Sequence, residues 1–261
     1  MARPFYFGTN TKMYKNSSQT EAFVRELVEL TADIDRSENP LFVIPSLTTI
    51  ERARKSVPVE KLKIGAQNIH WAEEGQFTGE VSVNMLTDIG ADLVMVAHSE
   101  RRQLFNETNQ SSNKKILTTL KHGLIALYCL GESAEEKESE ITEEVLRTQL
   151  KVGLRAVEEA QLDRLWIAYE PVWAIGVGGK PAEKGHVDAS HQIIRDTLIE
   201  LFGEAGRKVP ILYGGSVNLE NSREYSTLKS VDGLFIGRSA WDAKNFSRII
   251  HEISELRKTI A

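Results

Sequence analysis

Apolar residues along the chain gather into short, nearly unbroken runs: Phe5–Gly8, Leu41–Ile44, Leu62–Ala66, Leu93–Val96, Ile125–Cys129, Leu165–Tyr169, Ile211–Tyr213 and Leu234–Ile236. Runs that are continuous rather than alternating belong to strands covered on both faces. Between most of them the period changes to that of amphipathic helices. Ser18-Gln19-Thr20-Glu21 reads as a capping box opening a helix with Phe23, Leu27, Leu30 and Ile34 on one stripe. Glu140 to Ala160 carries Val145, Leu146, Leu150, Leu154 and Val157 at helical spacing, and Asp188 to Phe202 and Asn245 to Ile260 repeat the type. Strand and helix alternate without a linker, which predicts a parallel sheet in one domain spanning residues 1–261.

Eight such units in about 250 residues close naturally into a single-domain (β/α)8 barrel, an α/β fold. The competing fold, an open doubly wound sheet, would carry a glycine-rich phosphate loop after its first strand. Here that turn reads GTNTKMYK. The partial match Gly176-Val177-Gly178-Gly179 has Pro181 at the third glycine position, and no GxxxxGK[ST] occurs. The barrel is therefore the predicted fold, with function expected at the C-terminal ends of its strands.

Composition narrows the function classes. The chain is 41% hydrophobic and 26% charged with a net charge of −5, which disfavours a general nucleic-acid binder; an anionic ligand would need a local cation. The single cysteine, Cys129, allows no internal disulfide and fits a reducing, cytoplasmic setting. Neither an apolar leader nor 18 consecutive apolar residues is visible, so no membrane role is expected. His186 and His191 stand five apart, wrong for one helix face, and no other ligand cluster occurs, so no metal is expected.

The residues after the strands carry the candidate chemistry. Asn10-Thr11-Lys12 follows the first strand and Ala97-His98-Ser99-Glu100 the fourth. Glu170-Pro171 follows the sixth, Gly214-Gly215-Ser216 the seventh and Gly237-Arg238 the eighth. Each has a plain reading: a solvated lysine, a structural histidine, a loop acid. A carboxylate ending a buried strand is harder to dismiss, and two glycine-bearing turns at adjacent strand ends leave backbone N–H groups free for a phosphate.

Taken in order, the Asn10-x-Lys12 turn, AQN…FTGEVS, AHSERR, YEPVWAIG and YGGS resemble the triosephosphate isomerase family over essentially the whole chain. The resemblance implies a cofactor-independent isomerase that moves a carbonyl between neighbouring carbons of a small phosphorylated sugar through an enediol. Glu170 would be the base, its pKa raised by apolar surroundings. His98 would be a neutral electrophile and Lys12 the cation for phosphate and enediolate. Asn10 would contact substrate. Glu100 either orients Lys12 or is simply an acid at a helix start. Val172 to Gly179 would form a lid hinged at Glu170, Trp173 and Ile175 giving it an apolar underside. Gly176, Ser216, Gly237 and Arg238 would face the phosphate. The loop His70–Glu80 would insert into a second copy, making a homodimer.

Thr11 stands where the family commonly has tryptophan, Ala97 where it has glycine, and Gly179-Lys180-Pro181 where it has lysine-threonine-alanine. Gly237-Arg238 replaces two glycines, so Arg238 adds a bidentate contact, reshapes the pocket or points outward. GLFIGRSAW, QNIHWA and GTNTKM are more similar to the tetrulose-phosphate branch, the L-erythrulose-1-phosphate isomerases. Triose phosphate is the expected substrate and a four-carbon phosphate the alternative. A non-catalytic barrel that binds phosphosugars is a third reading, disfavoured because a binder has no use for a positioned base.

Overall fold

Gly8, in the first strand, has no room for a side chain because the Phe42 ring occupies the space its Cβ would take. Phe42 fills the inside of a cylinder. In the computed structural model, which describes residues 3–176 and 178–260, eight parallel strands close into a barrel in sequence order. They are β1 (Tyr6–Asn10), β2 (Leu41–Ile44), β3 (Lys63–Ala66) and β4 (Leu93–Val96), then β5 (Ile125–Leu130), β6 (Leu165–Tyr169), β7 (Ile211–Tyr213) and β8 (Gly233–Ile236). Closure comes from β8 pairing with β1, Tyr6 beside Gly233 and Thr9 beside Ile236, so no strand edge is left open.

Two apolar layers explain why the strands read as unbroken runs. Phe42, Leu93, Leu127, Trp166, Leu212 and Phe235 point inward and fill the barrel. Their neighbours along each strand, such as Tyr128 and Ile167, point outward into the layer under the helices. Each large side chain so buried contributes about 1.5–3 kcal/mol relative to exposure.

The helices are α1 (Ser17–Leu30), α2 (Ile50–Ser56), α3 (Val83–Asp88), α4 (Ser99–Phe105) and α5 (Asn109–Lys121) on the first half. The second half adds α6 (Ala134–Glu138), α7 (Thr142–Gly153), α8 (Lys184–Phe202), α9 (Ser222–Ser226) and α10 (Ala243–Ile260). The capping box of α1 lies earlier than the one read from Ser18: Asn16 accepts from the Gln19 N–H at 2.9 Å, and the Gln19 side chain accepts from the Asn16 N–H at 3.0 Å. Asn16 wins because its short carboxamide reaches the third N–H, whereas Ser18 is already inside the helix. Phe23, Val24 and Leu27 form the buried face of α1, while Leu30 is 37% exposed. The stretch Glu140–Ala160 is not one helix. It is broken by left-handed residues, Glu140 (φ 58°) and Ala156 (φ 63°), which bracket α7.

Candidate functional site

Asn10 is the last residue of β1, two residues further along the strand than the apolar run ending at Gly8 suggests. Its Oδ1 accepts the Lys12 N–H at 2.8 Å, which folds the chain into a tight turn and places Lys12 in the left-handed region, φ 51°. A lysine held there costs roughly 1–2 kcal/mol and stays only because its surroundings insist. They do: the Lys12 carbonyl accepts from Gln67 Nε2 at 2.7 Å and from Ser46 Oγ at 2.8 Å. The ammonium pairs with Glu100 Oε1 at 2.5 Å, and Glu100 also stands in the first turn of α4, so both contacts considered for it are present.

His98 caps α4. Its Nδ1 accepts the Glu100 N–H at 3.2 Å, so that nitrogen must present a lone pair and the ring proton sits on Nε2. Nε2 faces Glu170 Oε1 at 3.6 Å. The residue before it, Ala97, is also left-handed (φ 65°), which accounts for a glycine serving well at this position. Here the bend is held by Glu107 Oε1, which accepts the Ala97 N–H at 2.9 Å, and by Arg102 Nε, which donates to the Ala97 carbonyl at 3.0 Å.

Glu170 leaves β6 with its N–H on the Leu130 carbonyl at 2.7 Å. The carboxyl is buried, and its Oε2 has no partner among the described residues. Burial pushes its pKa up, and the nearby His98, the Cys129 thiol and Lys12 partly offset the rise. Gly214 leaves room for it: a Cβ there would stand 2.7 Å from Glu170 Cγ.

These groups share one cavity of about 230 Å³ at the mouth of the barrel, with Asn10, Lys12, His98 and Glu170 on its walls. The two glycine turns, Gly214-Gly215-Ser216 and Gly237-Arg238, form another part of the lining, together with Ile175 and Gly176. The Ser216 hydroxyl donates to the Ala174 carbonyl at 2.8 Å, so what Ser216 can offer an anion is its backbone N–H. Arg238 is exposed at the rim and forms no ion pair among the described residues. The lid expected over Val172–Gly179 starts with a single 3-10 turn, Val172–Ala174; Val177 lies outside the described residues. All of the expected site residues but one line this cavity; Glu100 reaches it through Lys12.

Sequence reasoning missed Glu132. This fully buried carboxylate accepts from Trp173 Nε1 at 2.9 Å, lies 3.0 Å from His186 Nε2 and takes the Tyr169 hydroxyl. Trp173 therefore starts the lid fastened to the end of β5, while Lys137 covers its ring at 3.7 Å. Trp241, also unassigned from sequence, walls the cavity beside Arg238. Among the described residues no group of His, Cys, Asp and Glu is arranged to hold a metal ion, and no helix is long and apolar enough to cross a membrane.

The family model described as triosephosphate isomerase matches residues 5–253. The L-erythrulose-1-phosphate isomerase of Rhizobium etli is 41% identical over 251 residues, 95% of this chain and 92% of that protein. The triosephosphate isomerase of Dictyoglomus thermophilum is 39% identical over 244 residues, 92% of this chain and 96% of that protein. The crystal structure of triosephosphate isomerase from Bartonella henselae superposes with a TM-score of 0.87 at 29% identity, covering 97% of this chain and all of that one.

Proposed function

The chain belongs to the triosephosphate isomerase family and is a sugar-phosphate isomerase, and from that premise we propose how its cavity works and on what. The observation that carries the mechanism is the facing pair, His98 Nε2 and Glu170 Oε1, at 3.6 Å on the wall that also holds Lys12. Glu170 takes a proton from the carbon next to the carbonyl. The electron pair moves onto the carbonyl oxygen, which His98 Nε2–H polarises while the Lys12 ammonium stabilises the negative charge that develops. The hydroxyl proton then passes from one enediolate oxygen to the other through His98 Nε2, and Glu170 returns the carbon proton to the neighbouring carbon, which completes the shift with no external reductant or oxidant. Asn10 presents its Nδ2 donor, which among the described residues reaches the Met95 sulfur at 3.8 Å, to a substrate oxygen. The backbone N–H groups of Gly176, Ser216 and Gly237 take the phosphate, and the Arg238 guanidinium at the rim adds a charge-assisted contact.

The substrate is triose phosphate, with dihydroxyacetone phosphate and glyceraldehyde 3-phosphate as the pair interconverted. Relatives named for a triose and for a tetrulose phosphate both stand at about 40% identity, which keeps the four-carbon ketose as the second reading. A pocket distinguishes one added hydroxymethyl group weakly unless a polar partner is built for it. The decisive measurement is kcat/KM on dihydroxyacetone phosphate and on L-erythrulose 1-phosphate with one sample, for wild type and Arg238→Gly. The triose should be preferred, and the variant should lose roughly tenfold on both substrates, the worth of one charge-assisted contact to phosphate. A preference for the tetrulose installs the second reading. Equal rates for wild type and variant put Arg238 outside the phosphate site. Absence of solvent deuterium exchange into either substrate would leave only the non-catalytic binder.

The protein works as a homodimer through the loop His70–Glu80. Within that loop His70 stacks between Trp71 and Phe77 at 4.3 and 4.1 Å, and its Nδ1 accepts the Ala72 N–H, so the projection is preorganised. Met13 (92% exposed) lies in the turn after β1, and Leu104 (71%) and Phe105 (63%) close α4; these uncovered apolar side chains are consistent with a covering copy. Sedimentation at micromolar concentration should give twice the chain mass; a monomer would refute this assignment.

A further inference from the structure

Trp241 sits 231 positions from Asn10 in sequence, yet its indole Nε1–H donates to the Asn10 carbonyl at 2.8 Å. The contact extends the seam between the first and last strands past the end of their register, which stops at Thr9 and Ile236. The same indole also stacks on Tyr14, ring centroids 4.6 Å apart and 39° inclined. Asn10 and Tyr14 are the two ends of the turn that carries Lys12 in its left-handed conformation. On the other side of the turn, Gln67 and Ser46 hold the Lys12 carbonyl.

We propose that Trp241 is a positioning residue for Lys12: one indole pins both ends of the Lys12 turn and fixes where its ammonium stands over the cavity. The inference rests on the reading that Lys12 acts on the anionic substrate. A left-handed lysine relaxes when the contacts that hold it are removed. Gln67 and Ser46 hold the Lys12 carbonyl and Gln67 also reaches the Asn10 side chain at 3.0 Å, whereas the Asn10 carbonyl and the Tyr14 ring are the indole's contacts. Displacing a reacting or stabilising group by about 1 Å costs on the order of a hundredfold in rate, so a partial loosening is visible in kinetics before it is visible in stability.

Trp241→Phe keeps the ring and deletes the N–H. Its effect should be measured in two backgrounds, wild type and Lys12→Met, by kcat/KM and by binding of inorganic phosphate as the probe anion. In the wild-type background kcat/KM should fall about tenfold and phosphate binding should weaken by a similar factor. With Lys12 already removed, the same substitution should change neither, because two residues acting through one group are not additive. Tyr14→Leu, which leaves the indole bond in place, should give a smaller loss in wild type and none beside Lys12→Met. Equal losses in both backgrounds would make Trp241 a cavity wall and overturn the proposal, as would no loss in wild type. Near-normal turnover and phosphate binding in Lys12→Met alone is a different failure: it removes Lys12 from the mechanism.

Discussion

Glu170→Gln should lower kcat by about 10²–10⁴-fold, the range a positioned general base supplies, while the protein unfolds at the same temperature or higher. Glutamine keeps the shape of the side chain and cannot take the proton. The stability side follows from burial, which raises the Glu170 pKa in the folded protein. A group with a raised folded pKa gives its full stabilisation below its unfolded value and loses it as pH rises through the folded one. Once ionised, the buried carboxyl is therefore a cost, aggravated by an Oε2 without a partner among the described residues, and glutamine removes the charge. Glu170→Asp tests geometry alone, since drawing the carboxylate back by about 1 Å should cost on the order of a hundredfold. In wild type, the acid limb of kcat/KM should lie above the ordinary carboxylate range. Rates near wild type in either variant would remove Glu170 from the mechanism, whatever the thermal melts show.

Lys12→Met should lower kcat/KM by about 10²–10³-fold, the loss seen when one preorganised charge-stabilising group is taken from an active site. Part of the loss should appear as a raised KM, because the overall charge of −5 leaves a dianion without its local attraction. The substitution strands Glu100, but that side chain is 44% exposed, so losing the pair should cost no more than about 1 kcal/mol. Steady-state kinetics on the proposed triose phosphate, beside a thermal melt, separates the two effects. A change confined to the melting temperature would assign Lys12 to structure only.

The barrel was legible because each strand is apolar on both faces. A short continuous run such as Leu93–Val96 is too brief for a core helix and fits a strand covered from both sides. Lys12, His98 and Glu170 stood out because each follows such a run, where a barrel keeps its chemistry. The exact ends were less legible. Asn10 belongs to β1 because parallel pairing carries the strand two residues past Gly8 and sets Asn10 beside Ile44, a contact no local pattern encodes. Gly214 looks like any turn glycine until the Glu170 side chain is seen against it. Glu132 reads as a loop acid, since nothing near it in sequence foretells that Trp173, Tyr169 and His186 converge on one carboxylate. Trp241 was invisible for the same reason at greater distance. Its partner lies at the other end of the chain, and only closure of the cylinder brings them together.

That closure has a bearing on biosynthesis. Lys12 leaves the ribosome early, and the turn at Gly237 and Arg238, with the indole of Trp241, follows more than two hundred residues later. A nascent chain that has made β1 through β7 can carry base, imidazole and ammonium and still lack the seam that sets them around a common hollow. The newborn polypeptide can acquire a working centre only once that final strand has emerged and docked beside the first, so interrupted translation products should be inert rather than partly active.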